Sequence, residues 1–446
     1  MTTYAPPSDA TQVRGRRTRS LTAALAGSLA AGAAAALALA LVVFPGATES
    51  VVTGSLLLGF AAGWAVLVAA ARRTGRPQPW ARVPAAVMAV TGAGLVVLSP
   101  GAGAMAQLSW VWPPVLMALA AWTWIRGRRH LTRPARWLLA PAVTVLVAIA
   151  AGGVVAGVHE SRIRDAYPAP GSLITVAGHR LHLDCRGTDA PTVVLLNGLG
   201  EFSGSWARVV EQLGDATRVC AYDRAGQGWS DEASEPQDGV AAAADLHTLL
   251  DRAGEAGPYV LVGHSTGGPY ALTYAAQYPG EVAGMVLLDS SSPRQLTAMP
   301  DYPVQYALMR RGLALVPTLA RIGLGPVLTP TSGLSGAAAE FARALGSTVR
   351  AKRTARDELT MVPSVFEQAD QLTTLDDRPL AVVTASENLT TPGWPGEQER
   401  LAQLSSDSTH TTAVTTHQGL LEDAPGATAS AAAISAVVQA VAAAAP

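Results

Sequence analysis

The stretch YVLVGHSTGGPY, residues 259–270, decides the fold of the second half of this chain. Four residues of strand character run directly into GHSTGG, and a helical pattern follows at once. A strand that turns abruptly into a helix forces its turn residue into strained backbone angles, and Gly263 and Gly267 leave room for that turn. The pattern therefore predicts that the Ser265 hydroxyl projects from a tight turn beside the unpaired N–H groups of a helix N-terminus.

Short apolar runs alternate with helical patterns on both sides of this stretch. The runs are SLITVAG, HRLHLDCRG, TVVLLNGLG, TRVCAYDRAG, YVLVGHS, GMVLLDS, LAVVTAS and STHTTAVTT. Short buried strands that alternate with helices predict the α/β class, with a mostly parallel sheet of the eight-stranded type flanked by helices. We assign this domain to residues 165–446. Residues from about 290 to 377 have helical Leu, Met and Ala periodicity without strand signals, which predicts a helical cap.

Four motifs give this half of the chain a resemblance to the α/β-hydrolase family, which includes serine hydrolases and esterases. LLNGLG is similar to the His-Gly oxyanion loop of the family, with Asn197 at the usual histidine. YDRAGQGWSD is similar to its Asp-x-x-Gly-x-Gly-x-Ser loop, GHSTGG to its nucleophile elbow, and THQGLLEDAP to the loop that carries its catalytic histidine. The resemblance runs from about Ser172 to the C-terminus and implies that Ser265 is a nucleophile.

A serine hydroxyl becomes a good nucleophile only when a base takes its proton, and at neutral pH that base is a histidine. The family's chain order of Ser, acid and His favours His417, which follows the last predicted strand, over His410, which opens it. The acid that orients the histidine remains open between two positions. Asp289 follows the strand GMVLL, and Glu387 follows LAVVTA, next to an asparagine where many family members carry the acid. We favour Asp289 and keep Glu387 as the alternative.

The resemblance also implies an oxyanion hole made of two main-chain N–H groups. One belongs to Thr266, the residue after the nucleophile, and the other to Leu199. Gly198 allows the backbone of that loop to come close. Because both donors are main-chain groups, the asparagine in place of the usual histidine leaves them intact.

The chain has two cysteines, Cys185 and Cys220, both in the second half. The family topology places their strands next to each other, so a disulfide is plausible, and an oxidising compartment would permit it. Two buried free thiols are the alternative.

The first third of the chain is apolar enough to span a membrane repeatedly. A helix needs about 20 apolar residues to cross a hydrocarbon core of about 30 Å. After a basic tail at residues 1–20, a transmembrane region at 21–158 holds five predicted spans, at 21–45, 51–71, 83–99, 104–125 and 137–158.

The basic residues fall in alternate loops, which predicts the orientation of these spans. Arginines precede the first span and fill the second and fourth loops, whereas the loops near residues 45–50 and 99–102 have no Lys or Arg. The basic loops are therefore predicted to be cytoplasmic. An odd number of spans then places the hydrolase-like domain outside the cytoplasm, in a multi-pass protein of the cell membrane.

These features predict a membrane-anchored serine hydrolase that cleaves an ester-type substrate through an acyl-enzyme. Its expected partners are the membrane and a small acyl substrate. The membrane context and the apolar cap favour a lipophilic substrate. A net charge of −1 argues against nucleic-acid binding, and the sequence has no metal-ligand cluster or phosphate-binding glycine loop. We therefore expect no metal and no cofactor, and make no prediction about the oligomeric state.

Two other interpretations remain open. The spans could belong to a sensor or transporter whose outer domain is a catalytically inactive binding module. Alternatively, the serine triad could serve a carbon–carbon hydrolase or a cofactor-free peroxidase. Relatives that open epoxides or remove halide use a carboxylate nucleophile, so Ser265 argues against those reactions.

Overall fold

The computed structural model describes residues 10–215 and 217–444, without the side chains of residues 10–20 and 164. Residues 1–9 of the predicted basic tail lie outside the described part. The chain forms two compact units. Of the described residues, the first contains those up to His159 together with Ala314–Leu324, and the second contains those in 160–313 and 325–444.

Five long apolar helices make up most of the first unit. They are α1 (Ala10–Ala38), α2 (Glu49–Arg73), α3 (Arg82–Leu98), α4 (Ala102–His130) and α5 (Arg133–Ala166). A π-helical turn at Leu39–Val43 continues α1, and a 3-10 turn at Pro79–Ala81 precedes α3. Each predicted span lies largely within one of these helices, whose length and composition are compatible with membrane insertion.

Glycine allows α1 and α2 to pack closely. A Cβ atom on Gly59 would lie 2.1 Å from the main-chain nitrogen of Ala36, and one on Gly63 would lie 2.7 Å from the Cα of Gly32. Small residues at helix interfaces let the two backbones approach closely and make many dispersion contacts. A larger residue at either position would separate the two helices.

A buried ion pair joins the segment Ala314–Leu324 to two helices of the first unit. The Arg321 guanidinium binds the Glu49 carboxylate at the start of α2 through two hydrogen bonds, one of which is 2.9 Å long. It also donates to the carbonyl of Met105 at 3.0 Å and to the hydroxyl of Ser109, both in the first turns of α4. Arg321 and Glu49 are only 7% and 2% exposed, and losing either would leave a buried charge without its partner.

The second unit is built on an eight-stranded sheet in the order β1-β2-β4-β3-β5-β6-β7-β8. Its strands are β1 (Ser172–Val176), β2 (His179–Arg186), β3 (Asp189–Leu196), β4 (Thr217–Asp223), β5 (Tyr259–His264), β6 (Val282–Leu288), β7 (Leu380–Ala385) and β8 (Ser408–Ala413). The β1–β2 and β2–β4 pairs are antiparallel, and the other pairs are parallel. The predicted fold class is confirmed, since each apolar run named above forms one strand.

Helices cover both faces of this sheet. They are α6 (Ala207–Leu213), α7 (Gly239–Ala253), α8 (Gly267–Gln277), α13 (Trp394–Ala402), α14 (Gly419–Glu422) and α15 (Ala424–Ala444). One core lies between the sheet and α7 and α8, and the other between the sheet and α6 and α15. The central strands β5 and β6 contribute residues to both cores, which explains their continuous apolar runs.

The last helix, α15, is long and apolar enough to cross a membrane, but it packs on the sheet. Ile434 is fully buried and Val437 is 4% exposed, in one cluster with Val286 of β6 and Val383 of β7. Burying one such side chain stabilises a fold by about 2 kcal/mol, so the apolar face of α15 is accounted for within this unit.

The segment between β6 and β7, for which the sequence predicts a helical cap, contains helices and no strand. They are α9 (Gln295–Ala298), α10 (Tyr302–Leu319), α11 (Gly336–Gly346) and α12 (Val349–Ala369). The sequence pattern predicts a cap over all of residues 290–377, whereas the structure groups Ala314–Leu324 with the first unit.

A disulfide joins Cys185 of β2 to Cys220 of β4. The two residues lie directly opposite each other in the antiparallel pair, with Cα atoms 4.0 Å apart. The bond links the antiparallel edge of the sheet to its parallel part.

Candidate active site

Ser265 lies in the tight turn between β5 and α8. Its φ is +54°, in the left-handed region that a residue with a Cβ atom rarely adopts. A Cβ atom on Gly263 would lie 2.6 Å from the main chain of Gly268, and one on Gly267 would lie 2.1 Å from the carbonyl oxygen of Leu196. The structure thus has both the strained turn and the close backbone approach that the sequence predicts for this motif.

The turn is tied to the loop after the neighbouring strand. The Ser265 N–H donates to the carbonyl of Leu288 at 3.2 Å, and the Ser265 carbonyl accepts from the Ser291 N–H at 2.9 Å. These bonds hold the Ser265 backbone against the chain that carries Asp289. Among the described residues, the half-buried Ser265 hydroxyl has no hydrogen-bond partner.

The ring of His417 binds Asp289. His417 lies between β8 and α14, and its Nδ1 is 2.6 Å from Oδ2 of Asp289. Because an ionised carboxylate only accepts hydrogen bonds, Nδ1 carries the proton and Nε2 keeps a free lone pair. Nε2 has no partner within residues 10–215 and 217–444, and 31% of the side chain is exposed.

Asp289 is fully buried, and four donors satisfy its carboxylate. Besides His417, they are the Asn388 amide at 2.6 Å, the Trp394 indole N–H at 2.8 Å and the Ala385 main-chain N–H at 3.2 Å. Burial alone would raise the pKa of Asp289. The hydrogen bond and the charge interaction with His417 lower this pKa, as do the hydrogen bonds from Asn388 and Trp394, and together they hold it below its usual value. The group is therefore an anion at neutral pH.

The alternative acid Glu387 makes a different contact. Its carboxylate accepts from the main-chain N–H of His417 at 2.7 Å, and no described bond joins it to the imidazole ring. His410 is exposed on β8, where its Nε2 is 2.8 Å from the hydroxyl of Thr384. The structure thus brings Asp289, and not Glu387, to the ring of His417.

The loop after β3 lies against the candidate nucleophile. A Cβ atom on Gly198 would lie 2.9 Å from the Cβ of Ser265, so only glycine allows this approach. In the described part of the chain, the main-chain N–H groups of Leu199 and Thr266 have no hydrogen-bond acceptor. Unpaired N–H groups at such a turn can stabilise a developing negative charge.

Arg224 fixes the carbonyl side of the same loop. It donates to the carbonyl of Asn197 at 2.6 Å and to that of Gly198 at 3.4 Å, and it binds Glu358 of helix α12 at 2.8 Å. Its guanidinium also lies 4.1 Å from the centre of the Tyr270 ring. Because these carbonyls point toward Arg224, the following N–H groups are held away from it.

Asn197, at the position where the α/β-hydrolase motif has histidine, is fully buried and bonds to three other segments of the chain. Its amide donates to the Tyr222 carbonyl at 2.8 Å and to the Gln227 side chain at 3.0 Å, and it accepts from the Trp206 indole at 2.8 Å. Asn197 therefore ties its loop to the C-terminal end of β4, to the loop that follows β4, and to the turn before α6.

Four residues that support this site were not predicted from the sequence: Glu201, His264, Asn388 as a partner of Asp289, and Trp394. A carboxylate within the apolar motif NGLGEFSGSW was a signal for Glu201, and the asparagine in the family's acid position was a signal for Asn388. Nothing in the local sequence distinguishes Trp394.

Comparisons with known proteins support this fold. A family model described as the alpha/beta hydrolase fold matches residues 191–326. An uncharacterised protein of Schizosaccharomyces pombe is 30% identical over 275 residues, which are 54% of this chain and 50% of that protein. Lipase LipV of Mycobacterium tuberculosis is 39% identical over 133 residues, covering 27% of this chain and 50% of the lipase.

A solved structure, a mutant of a proposed epoxide hydrolase of Pseudomonas aeruginosa, matches 60% of this chain and 96% of its own with a TM-score of 0.52. At 16% identity this likeness shows the fold alone. The chain spans about half or less of the length of the curated relatives it matches. The second unit therefore has the α/β-hydrolase fold, and its matches support a hydrolytic function.

Proposed function

We propose that this chain is a membrane-anchored serine hydrolase that cleaves an acyl ester through Ser265, His417 and Asp289. The observation that carries the proposal is the buried Asp289 carboxylate on Nδ1 of His417, which leaves Nε2 free as a base. The Ser265 backbone is bonded to the same loop, through Leu288 and Ser291. The hydrogen bond between Ser265 and His417 that the reaction needs can form on substrate binding, since such bonds often tighten only then.

The proposed reaction has two halves. His417 Nε2 takes the proton of the Ser265 hydroxyl as its oxygen attacks the acyl carbonyl, and the N–H groups of Leu199 and Thr266 stabilise the oxyanion. His417 then gives the proton to the leaving alcohol, and an acyl-enzyme remains. Water, deprotonated by His417, attacks the carbonyl of this ester. The bond to the Ser265 oxygen then breaks, His417 returns the proton to that oxygen, and the acid is released, while Asp289 stabilises the imidazolium at each step.

The alternative functions have less support. An inactive binding module would have no need of a strained serine, an aspartate-bound histidine and two unpaired N–H groups in one loop cluster. The proposed epoxide hydrolase among the structural relatives shares the fold at 16% identity, but epoxide opening needs a carboxylate nucleophile, and this turn carries Ser265.

The direct test is turnover of p-nitrophenyl esters, from acetate to palmitate, by the full-length protein in detergent. We expect hydrolysis with a preference for longer acyl chains, because a membrane setting favours lipophilic esters. No hydrolysis of any member, by protein that melts cooperatively, would contradict the proposal.

Asp289→Asn is expected to lower kcat by about 10⁴-fold, because an amide favours the wrong tautomer of His417 and cannot stabilise its cation. The matched variant Glu387→Gln should stay near the wild type, since a glutamine oxygen still accepts from the His417 main chain. Steady-state kinetics of both variants with one ester checks this. A larger loss in E387Q than in D289N would move the acid to Glu387.

The proposed topology places the hydrolase-fold domain outside the cytoplasm. Glu49, Met105 and Ser109, which bind Arg321, lie at the helix ends opposite the arginines that close α2 and α4. Within the first unit, the segment Ala314–Leu324 therefore lies at the helix ends without basic residues, which are the ends that the charge pattern predicts to be extracytoplasmic. The disulfide Cys185–Cys220 also suits an oxidising compartment.

We expect an alkaline phosphatase reporter fused at the C-terminus of the full chain to be active in a bacterial host, and one fused after Arg73 to be inactive. In intact cells, the two cysteines should resist a thiol reagent until a reductant is added. An inactive C-terminal fusion, together with free thiols at Cys185 and Cys220, would show that the orientation is the opposite of the one proposed.

A further inference from the structure

A buried carboxylate–histidine pair lies beneath the candidate active site. Glu201 follows the loop after β3, and His264 is the residue before the candidate nucleophile; they are 9% and 0% exposed. Oε1 of Glu201 is 2.7 Å from Nδ1 of His264, and Oε2 accepts the N–H of Gly198 at 2.5 Å. One carboxylate therefore bonds both to this histidine and to the loop that faces Ser265.

The other nitrogen of His264 reaches the loop of the candidate base. Nε2 of His264 donates to the main-chain carbonyl of His417 at 3.0 Å, and the two rings lie 4.6 Å apart between centroids. A continuous chain of hydrogen bonds thus runs from Gly198 through Glu201 and His264 to His417. It joins the loop of the proposed oxyanion hole to the loop of the proposed base.

The bonding pattern indicates the protonation state of His264. Because the lowered pKa of Glu201 makes it a carboxylate at neutral pH, both nitrogens of His264 face groups that only accept, so both donate and the ring is an imidazolium. Burial would lower the pKa of His264, but the charge and hydrogen bond of Glu201, with smaller contributions from the His417 carbonyl and Asp289, raise it above its usual value. The pKa of Glu201 is lowered because His264, Gly198 and His417 outweigh its burial.

We propose that Glu201 and His264 are positioning residues that hold the His417 loop and the Gly198–Leu199 loop in register around Ser265. The inference rests on the proposed function, and it adds two residues to it. Neither side chain is assigned a contact with substrate; each acts through a main-chain group of the reacting site.

The electrostatic balance of the pair gives the proposal a catalytic consequence. His417 becomes positively charged during the reaction, next to the positive ring of His264. The negative charge of Glu201 compensates the positive charge of the His264 ring. Removing the Glu201 charge therefore has one of two consequences. Either His264 stays charged and opposes the cation on His417, or it loses a proton and with it one of its two bonds.

The test uses the full-length protein and the variants Glu201→Gln and His264→Gln, with Asp245→Asn as the matched control. Asp245 forms another largely buried pair in the same domain, with His179 at 2.8 Å, and has no described bond to the active site. The rate constant for labelling by a fluorophosphonate, which reacts with activated serines, is measured per folded protein at excess reagent. The value of KM for one ester is measured in parallel.

We expect both variants to label about 100-fold more slowly than the wild type, the size of effect that follows a displacement of about 1 Å at a reacting group. The labelled fraction at completion and KM should stay at wild-type values, and D245N should label at the wild-type rate. A purely structural role predicts the reverse, a reduced labelled fraction that reacts at the wild-type rate.

Labelling of the variants at the wild-type rate would overturn the inference, as would the pattern of a purely structural role. Either result leaves the proposed function intact, because the wild type still reacts. If the wild type itself neither reacts with the reagent nor hydrolyses any ester, the proposed function fails instead.

Discussion

Replacing Ser265 with alanine should lower the kcat of ester hydrolysis by about a million-fold, the largest effect we expect. Loss of a triad nucleophile removes the covalent route, and what remains comes from binding and the oxyanion hole. The substitution should not destabilise the fold, because the hydroxyl has no partner among the described residues and alanine keeps a Cβ atom at the same φ of +54°. Turnover and the melting temperature of the full-length protein are the two measurements.

The control for this variant is Ser406→Ala. Ser406 is exposed, and within the described part of the chain its hydroxyl bonds only to the Asp376 carbonyl, at 3.2 Å. We expect S406A to hydrolyse esters at the wild-type rate. Residual hydrolysis by S265A within tenfold of the wild type would assign the activity to another residue.

The second large effect is expected for His417→Ala, which should also cost about a million-fold in kcat. Without the imidazole, none of the described side chains is assigned to accept the Ser265 proton, and the bond at 2.6 Å to Asp289 is lost as well. KM should change little, because the ring acts on the reacting hydroxyl and not on the remote parts of the substrate. Steady-state kinetics over a range of ester concentrations separates the two parameters.

His410→Ala is the matched control for H417A. His410 is the nearest competing histidine in sequence, and it bonds only to the Thr384 hydroxyl in the described structure. This variant should remain active. If H410A lost activity and H417A kept it, the base would be His410 on β8 and not His417.

The fold was predictable because the decisive signals are local. Each strand from β3 to β7 is a short apolar run buried on both faces, and the turn at Ser265 needs small neighbours that stand within two residues of it. Helix ends were less accurate. The spans were predicted to stop at charged residues, whereas α5 continues through them to Ala166 and α1 already begins at Ala10.

The chain order of the candidate triad followed from the resemblance to the α/β-hydrolase family, but the identity of its acid did not. Asp289 and Glu387 follow neighbouring strands, β6 and β7, so sequence alone places both near the same edge of the sheet. The choice depends on which carboxylate meets the ring of His417 and which meets its main chain, and that is a matter of side-chain direction.

Contacts between distant parts of the chain could not be predicted from one sequence. Arg321 and Glu49 are 272 residues apart, and Arg321 was assigned to the cap because its surroundings in sequence are helical and belong to the second half. The pair of Glu201 and His264 spans 63 residues, and neither residue belongs to a motif that specifies the other.

The central claim is that Ser265 is a nucleophile activated by His417, and the most direct test is the position of a covalent adduct. The full-length protein is treated with a fluorophosphonate, digested, and analysed by mass spectrometry. The account predicts one adduct, on Ser265, which is absent from H417A. An enzyme that hydrolyses esters but carries its adduct on another residue, or carries none, would contradict it.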